Sequence, residues 1–481
     1  MIKSKLFQLL KKLNKDEFSQ LGKFVHSPFF EFNKKITSLY NYIKDEHPNF
    51  QSSNLTKQHA AKFVFPNISV TDKRMGNLMS EMYALTLEFL AQMEFQTDKV
   101  AKGKLKAEAL RKKKMLREYH KEMDLVEEEL NYLPARNMNY YADLLYLESK
   151  RYASDLQIKH SLSKISLKKM MSYLDKFHAL GKLKISSEII SRQNILEESY
   201  DKVLFLDEMK ELIFNESEED NPLLKMYYYV VRLGETKEFE YYEKLKSLFF
   251  EKYKLIGEEN RIDVISYLMN YSTSVKSTNN TQFQEEGFEL YKFAFTKRIF
   301  HEELLNSENY FQNMIIDGAK LGHFEWIDSF LASIGNNENK GYSEDILVFV
   351  KTIVLYEKKE FENARLMILS HQFKRVQDKV RVKSILIRIL YEEYCEDDSN
   401  HEVLMFSIQA FRKYLKRNKK LPAGRIAPYL NFLKYAKELI RYRFKRQWTI
   451  ESTNRLKSEV LSQRVANQDW ILEKLTSLSK P

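Results

Sequence analysis

Two stretches of this chain, 37 residues apart, set the terms on which it can fold. The first reads Ala319-Lys320-Leu321-Gly322-His323-Phe324-Glu325-Trp326, and the second Leu355-Tyr356-Glu357-Lys358-Lys359-Glu360-Phe361-Glu362-Asn363-Ala364. In each, an apolar run stops, a small or charged turn follows, and an aromatic residue opens a new amphipathic run. Such turns join helices, and their recurrence at this spacing predicts stacked helical hairpins. Further markers stand at Tyr200, Phe239 and Phe283, with another turn near His401, giving separations of 39, 44, 41, 37 and 40 residues along the series. Tetratricopeptide units run ~34 residues and HEAT or armadillo units ~40–47, so the series falls between them. Ala364, three residues after Phe361, suits the close helix approach of a tetratricopeptide turn. Tyr242 and Ile327 hold the same offset from Phe239 and Phe324 and are far larger. The predicted array is therefore degenerate, and a two-domain helical bundle is the alternative.

Breakers are scarce: 12 glycines and 8 prolines in 481 residues, where glycine alone averages ~7%. Long helices with short connections follow. The expected fold is all-α, an N-terminal helical bundle followed by a right-handed α-solenoid-like array of helical hairpins (TPR/HEAT-like). Four segments are expected: an N-terminal helical module over 1–95, a long charged connecting helix over 96–135, the hairpin array over 136–410, and a basic helical segment over 411–481. Residues 272–280 and 335–341 read as exposed loops and 215–222 as an acidic turn.

In the N-terminal module, Asp16-Glu17-Phe18 opens one helix, stopped by Ser27-Pro28, and Ile36, Leu39, Tyr40 and Ile43 mark a second. Asn54-Leu55-Thr56 and Thr71-Asp72 begin two more. At Phe24-Val25-His26-Ser27-Pro28-Phe29-Phe30 and Met75-Gly76-Asn77-Leu78-Met79-Ser80-Glu81 this module resembles the start of a family of uncharacterised bacterial helical proteins. The resemblance implies an all-α fold and brings no catalytic residue and no assigned activity. The stretch from Leu55 to Leu90 also admits a helix-turn-helix, but the connection from Phe65 to Val70 exceeds the usual 3–4-residue turn. A structural bundle is the preferred reading.

Residues 96–133 read as one highly charged helix before Pro134. From Lys99 to Lys121 ten basic residues stand against two acidic ones, and then Glu122, Asp124, Glu127, Glu128 and Glu129 reverse the sign. A stripe of Leu105, Leu116, Met123 and Leu130 is expected to rest on a neighbour. Pairing of the oppositely charged ends with a second copy is the other reading.

Signs of an active site are sparse. Gly103-Lys104 and Gly181-Lys182 lack the upstream glycine of a phosphate-binding loop. His301-Glu302-Glu303-Leu304-Leu305 has leucine where a zinc helix needs its second histidine. A lone Asp175-x-x-His178 does not make a di-iron bundle, and Glu396-Asp397-Asp398 lacks the alternating ligands of a calcium loop. No catalytic residue, metal site or cofactor is expected. The single cysteine, Cys395, rules out an intramolecular disulfide and reads as a buried structural thiol. No stretch approaches the ~20 apolar residues of a membrane span, and the first residues do not form a signal peptide. A cytoplasmic protein without a transmembrane segment is the expectation.

Charge is the more informative signal. Between Arg412 and Arg446 thirteen Lys or Arg residues face one acid, Glu438, a net of +12 in a chain whose total is +11. The candidate anion or nucleic-acid site is Arg412, Lys413, Lys416, Arg417, Lys419, Lys420, Arg425, Lys434, Lys437, Arg441, Lys445 and Arg446. On a helix over 429–446, Tyr429, Phe432, Leu433, Ala436, Ile440 and Phe444 face a core. Lys434, Lys437, Arg441 and Lys445 stack beside them. Arg443 falls nearer the apolar arc and needs a partner, while Tyr414, Tyr435 and Tyr442 are interleaved where bases could stack. The leading expectation is a non-enzymatic protein-interaction scaffold. The alternative is a nucleic-acid-associated or regulatory protein using the basic surface, and an enzyme without a recognisable motif ranks third.

Overall fold

Capping chemistry explains where many of the helices begin. A computed structural model of the chain describes all residues except 30–32, 67, 69, 160–163, 197–198, 277–280, 300–303, 336–341, 419–420, 446–448 and 479–481. Most of the expected loop 335–341, the end of 272–280, His301-Glu302-Glu303, Phe30, Lys419, Lys420 and Arg446 lie outside the described residues, as does the Lys445 side chain. The described residues form 23 α-helices and no strand, so the chain is all-α.

In chain order the first nine are α1 (Lys5–Leu10), α2 (Lys15–Val25), α3 (Lys34–Ile43), α4 (Lys57–Val64), α5 (Asp72–Thr97), α6 (Lys99–Lys112), α7 (Leu116–Tyr132), α8 (Met138–Lys159) and α9 (Lys164–Leu196). Asn14 and Glu17 close a capping box on α2, and the Thr56 and Thr71 hydroxyls accept the third amides of α4 and α5. These caps sit where Ser, Thr, Asn and Asp precede apolar periodicity in the sequence. Leu21, Leu39, Val64, Met75 and Met82 of α2–α5 share one core with Phe7 and Leu10 of α1.

The segment 96–133 departs from expectation. It is two helices, α6 and α7, and Lys114 between them takes a left-handed conformation (φ 60°). They run antiparallel, with Lys99 on Glu129 at 3.1 Å and Lys106 on Glu122 at 3.2 Å. The basic half thus meets the acidic half within the same chain. Val100 and Ala107 pack against Met123, Val126 and Leu130 at this interface, whereas Leu105 and Leu116 of the expected stripe are exposed.

The remaining helices are α10 (Leu206–Phe214), α11 (Pro222–Thr236), α12 (Phe239–Lys252), α13 (Glu258–Lys276), α14 (Thr281–Thr296), α15 (Leu304–Lys320), α16 (Phe324–Gly335), α17 (Glu344–Glu357), α18 (Phe361–Ser370), α19 (Val376–Glu396), α20 (His401–Arg417), α21 (Ala423–Lys445), α22 (Ile450–Leu461) and α23 (Gln468–Leu478). The chain divides into two compact units, residues 1–134 with 139–174, and 135–138 with 175–481, the division falling inside α9. Residues 96–134 fall in the first unit and 411–481 in the second. Ser272, expected in a loop, is a buried residue of α13.

In the second unit consecutive helices pack on one another from α11 to α16 and again from α17 to α21. Helices two apart also meet: α11 with α13, α15 with α17, and α17 with α19. Phe239, Phe324, Phe361 and His401 are the first residues of α12, α16, α18 and α20. Tyr200 lies ahead of α10 outside any helix, and Phe283 falls in the first turn of α14. The two turns that stand out in the sequence close alike. Gly322 (φ 82°) and Lys359 (φ 65°) are left-handed. The next amides, of His323 and Glu360, bond back to the carbonyls of Gly318 and Leu355, both at 2.9 Å. Ala364, Ile327 and Tyr242 are all fully buried at the matching offset. Tyr242 fits despite its size because it stacks on Tyr271 at 4.8 Å and donates its hydroxyl to Glu286 at 2.8 Å.

Candidate functional site

The basic segment, marked by its charge in the sequence, is split by the fold. α20 and α21 run antiparallel: Phe411 lies 6.2 Å from Tyr429, and His401 lies 5.1 Å from Phe444 at the opposite end. The cations therefore do not form one patch. Arg412, Lys413, Lys416, Arg417 and Arg425 are exposed at the α20–α21 turn, and none has an ion-pair partner among the described residues. Further along α21, Lys434 pairs with Glu459 at 3.9 Å and Arg441 with Glu438 at 2.7 Å, while Lys437 is half-buried. Arg443 does find a partner: it donates to the Cys395 carbonyl at 2.7 Å. Tyr435 is fully buried and Phe444 is 68% exposed, the reverse of the roles their spacing suggests. Phe444 lies past the end of the packed arc and rests on the His401 ring.

A cavity of about 630 Å³ in the second unit was not foreseen from the sequence. Its wall is built from the ends of the helices on either side of the two diagnostic turns, with Lys320 from α15, Tyr356 and Glu357 from α17, and Lys359 and Phe361 after them. Arg388, Glu392 and Cys395 of α19 and Asn467, Trp470 and Lys474 at α23 complete it. Glu392 is already engaged, its Oε1 accepting from the Tyr356 hydroxyl (3.0 Å), the Trp470 indole N–H (3.1 Å) and the Lys474 ammonium (2.7 Å). Arg388 is less well served. It is 8% exposed, lies over the Tyr356 ring at 4.2 Å, and reaches Glu357 only at 3.5 Å. Its Nε and the Asn467 Nδ2 are buried without an acceptor. Burial pushes the Glu357 carboxyl above the ordinary glutamate range, against the pull of Arg388 and Lys320. Burial likewise raises the Cys395 thiol, with Arg443 opposing, so neutral pH leaves it protonated and a poor nucleophile.

A groove elsewhere in the second unit has two chemically distinct halves. One half, about 470 Å³, is lined by Glu188, Glu258, Glu259, Asp263 and Tyr310. The other, about 320 Å³, is lined by Ile190, Val230, Leu233 and Gly234. Ser191, Tyr267 and Asn270 line both and make them continuous. Lys184 contacts Glu259 (2.5 Å) and Asp263 (3.3 Å), and Arg192 contacts Glu188 (2.7 Å). Four carboxylates against these two cations leave an excess of negative charge. The apolar half depends on a close approach of α9 and α11, for a Cβ at Gly234 would come 2.4 Å from Ile190.

Among the described residues no group of three or more His, Cys, Asp and Glu is arranged to hold a metal ion, and no helix is long and apolar enough to cross a membrane. No protein-family model, no curated protein and no solved structure matches this chain. Function therefore rests on the chemistry of the basic tip, the cavity and the groove.

Proposed function

We propose that this chain is a non-enzymatic protein-interaction scaffold, its second unit a right-handed array of tetratricopeptide-like hairpins that receives a cationic, amphipathic segment of a protein partner. The observation carrying this reading is the continuous groove along α9, α11 and α13, acidic at one end and apolar at the other. Basic side chains of a bound segment would answer the carboxylates, and its apolar side chains would cover Ile190, Val230 and Leu233. Helices stacked in sequence offer such extended grooves without any catalytic constellation. A cytoplasmic setting belongs to the same reading, because a single free thiol suits a reducing compartment.

A synthetic amphipathic Lys/Leu peptide and its Glu/Leu counterpart test the proposal by fluorescence anisotropy on the full chain. The Lys/Leu peptide is expected to bind, and Glu258→Lys with Glu259→Lys to weaken it by about tenfold or more. Equal binding of both peptides, or no change in the double variant, would overturn it.

One observation favours a second reading, an anionic partner such as nucleic acid. The five exposed cations at the α20–α21 turn are the part of the basic segment open to phosphate contacts.

A further inference from the structure

We propose that α20 of a second copy of this chain occupies the groove along α9, α11 and α13. The inference rests on that groove's receiving a cationic, amphipathic segment, and it names the segment. Among the described residues, the charged groups lining the groove are Glu188, Glu258, Glu259 and Asp263 in the acidic half and Lys237 in the apolar half. Glu188 is answered by Arg192, and Glu259 and Asp263 share Lys184, whereas Glu258 and Lys237 have no ion pair among the described residues. Burial draws the Lys237 ammonium below the usual lysine range with no carboxylate to offset it. α13 measures the separation of these charges. Glu258 opens that helix, and near its other end the Tyr271 hydroxyl donates to the Lys237 carbonyl at 3.4 Å. Glu258 and Tyr271 stand about 20 Å apart along the axis at the α-helical rise per residue. Ile190, Tyr267 and Tyr271 line the apolar half and are only half-buried, so they are open to contact. The occupant is therefore basic at one end, apolar toward the other, and finished by an acid.

α20 carries those groups in that order on its outer face. Leu404, Ile408, Phe411 and Leu415 commit its other face to the core. Val403, Phe406, Ala410, Lys413 and Arg417 follow at steps of three and four and form one exposed stripe, with Arg412 and Lys416 exposed on its flank. Phe406 is 73% exposed and Val403 53%. Glu402, exposed beside Val403, is the one acid of the helix. None of these charged residues has an ion pair among the described residues. Glu402 and Arg417 stand about 22 Å apart along the axis, which matches the groove. Laid antiparallel to α13, α20 sets Glu402 against Lys237, Val403 and Phe406 over the apolar half, and Lys413 and Arg417 against Glu258 and Glu259. Groove and stripe are different patches of one chain, so the contact is heterologous and joins copies head to tail.

Sedimentation velocity on the nuclease-treated full chain provides the test. At low salt the mass should rise with concentration above the 57.5 kDa of one chain, and it should fall back as added salt screens the charges. Lys413→Glu with Arg417→Glu, and separately Glu258→Lys with Glu259→Lys, should each abolish self-association. An equimolar mixture of the two variants should associate again, because one keeps the groove and the other keeps the stripe. Phe406→Ser should weaken association of the parent by about ten- to a hundredfold, the loss of one buried aromatic anchor. Every substituted position is exposed. Melting curves check folding, and if a charge variant melts early, Phe406→Ser decides alone. A monomer at every concentration, variants that associate like the parent, or a mixture that stays monomeric would each overturn the proposal. A monomeric chain that still binds the Lys/Leu peptide excludes the second copy alone and leaves the groove a receptor for a cationic segment. If the peptide fails to bind as well, both fall.

Discussion

Gly318 sits in α15 where a Cβ would come 2.5 Å from the Phe288 ring. Phe288 cannot yield: it is fully buried, stacked on His323 at 4.7 Å and edge-on to Trp326 at 5.4 Å. Gly318→Ala should therefore cost about 1–3 kcal/mol, read as a lowered urea midpoint with unchanged slope. Gly424→Ala, in α21 with no atom near its Cβ position, should be neutral or stabilise by up to about 1 kcal/mol. A Gly318→Ala protein as stable as the parent would show that Phe288 has room to move. At this scale the sequence was partly legible. The turn at Gly322 was legible, and glycine suits its left-handed conformation because it takes it without cost. Lys359 takes the same conformation with no local signal, its strain borne by the hydrogen bonds that close the turn. The need of Arg443 for a partner followed from its place on the helix. Its partner, a carbonyl on α19, did not, because the two residues stand 48 apart in the chain.

Between elements, Asp345 ties the start of α17 to the chain ahead of α19. It is 4% exposed and accepts from His371 Nε2 and the Lys374 amide, both at 2.8 Å. Burial opposes its ionisation, but His371 and the Lys374 and Arg375 amides outweigh burial and hold its pKa below the ordinary aspartate value. A lowered folded pKa contributes stability above the unfolded value of ~3.9 and loses it as pH falls through the folded one. Asp345→Asn should thus destabilise at neutral pH by about 1–3 kcal/mol, and its deficit should shrink below about pH 4. Chemical denaturation at pH 7 and pH 3 checks both, and a deficit that persists at pH 3 would refute the electrostatic account. Element existence was largely legible from caps and periodicity. The α6–α7 break was not: no glycine or proline marks the turn at Lys113-Lys114-Met115, and the bend is rewarded only by contacts between the two halves, the burial of Val100, Ala107, Met123, Val126 and Leu130 and the pairing of opposite charges.

For the molecule as a whole, the five exposed cations of the α20–α21 turn carry +5 of the formal +11. Reversing Arg412, Lys413, Lys416, Arg417 and Arg425 to glutamate lowers the formal net charge by ten, from +11 to +1. If the anionic reading holds, retention on immobilised nucleic acid should fall sharply, the salt slope dropping by about 0.9 for each phosphate left unneutralised. Reversal of Lys434, Lys437 and Arg441 should do less, since two of these already have carboxylate partners. Unchanged retention with the tip reversed would exclude this surface. By itself the sequence determined the helical class, the starts of several helices and the charge concentration, because caps, periodicity and composition act over a few residues. Only the tertiary structure decided that the basic segment is folded back into the antiparallel α20–α21 pair and that α6 closes on α7. It alone brought residues from Lys320 to Lys474 around one cavity, and left Arg388 Nε and Asn467 Nδ2 buried without an acceptor. Whether a buried group has a partner depends on atoms far away in the chain, and no local pattern encodes that.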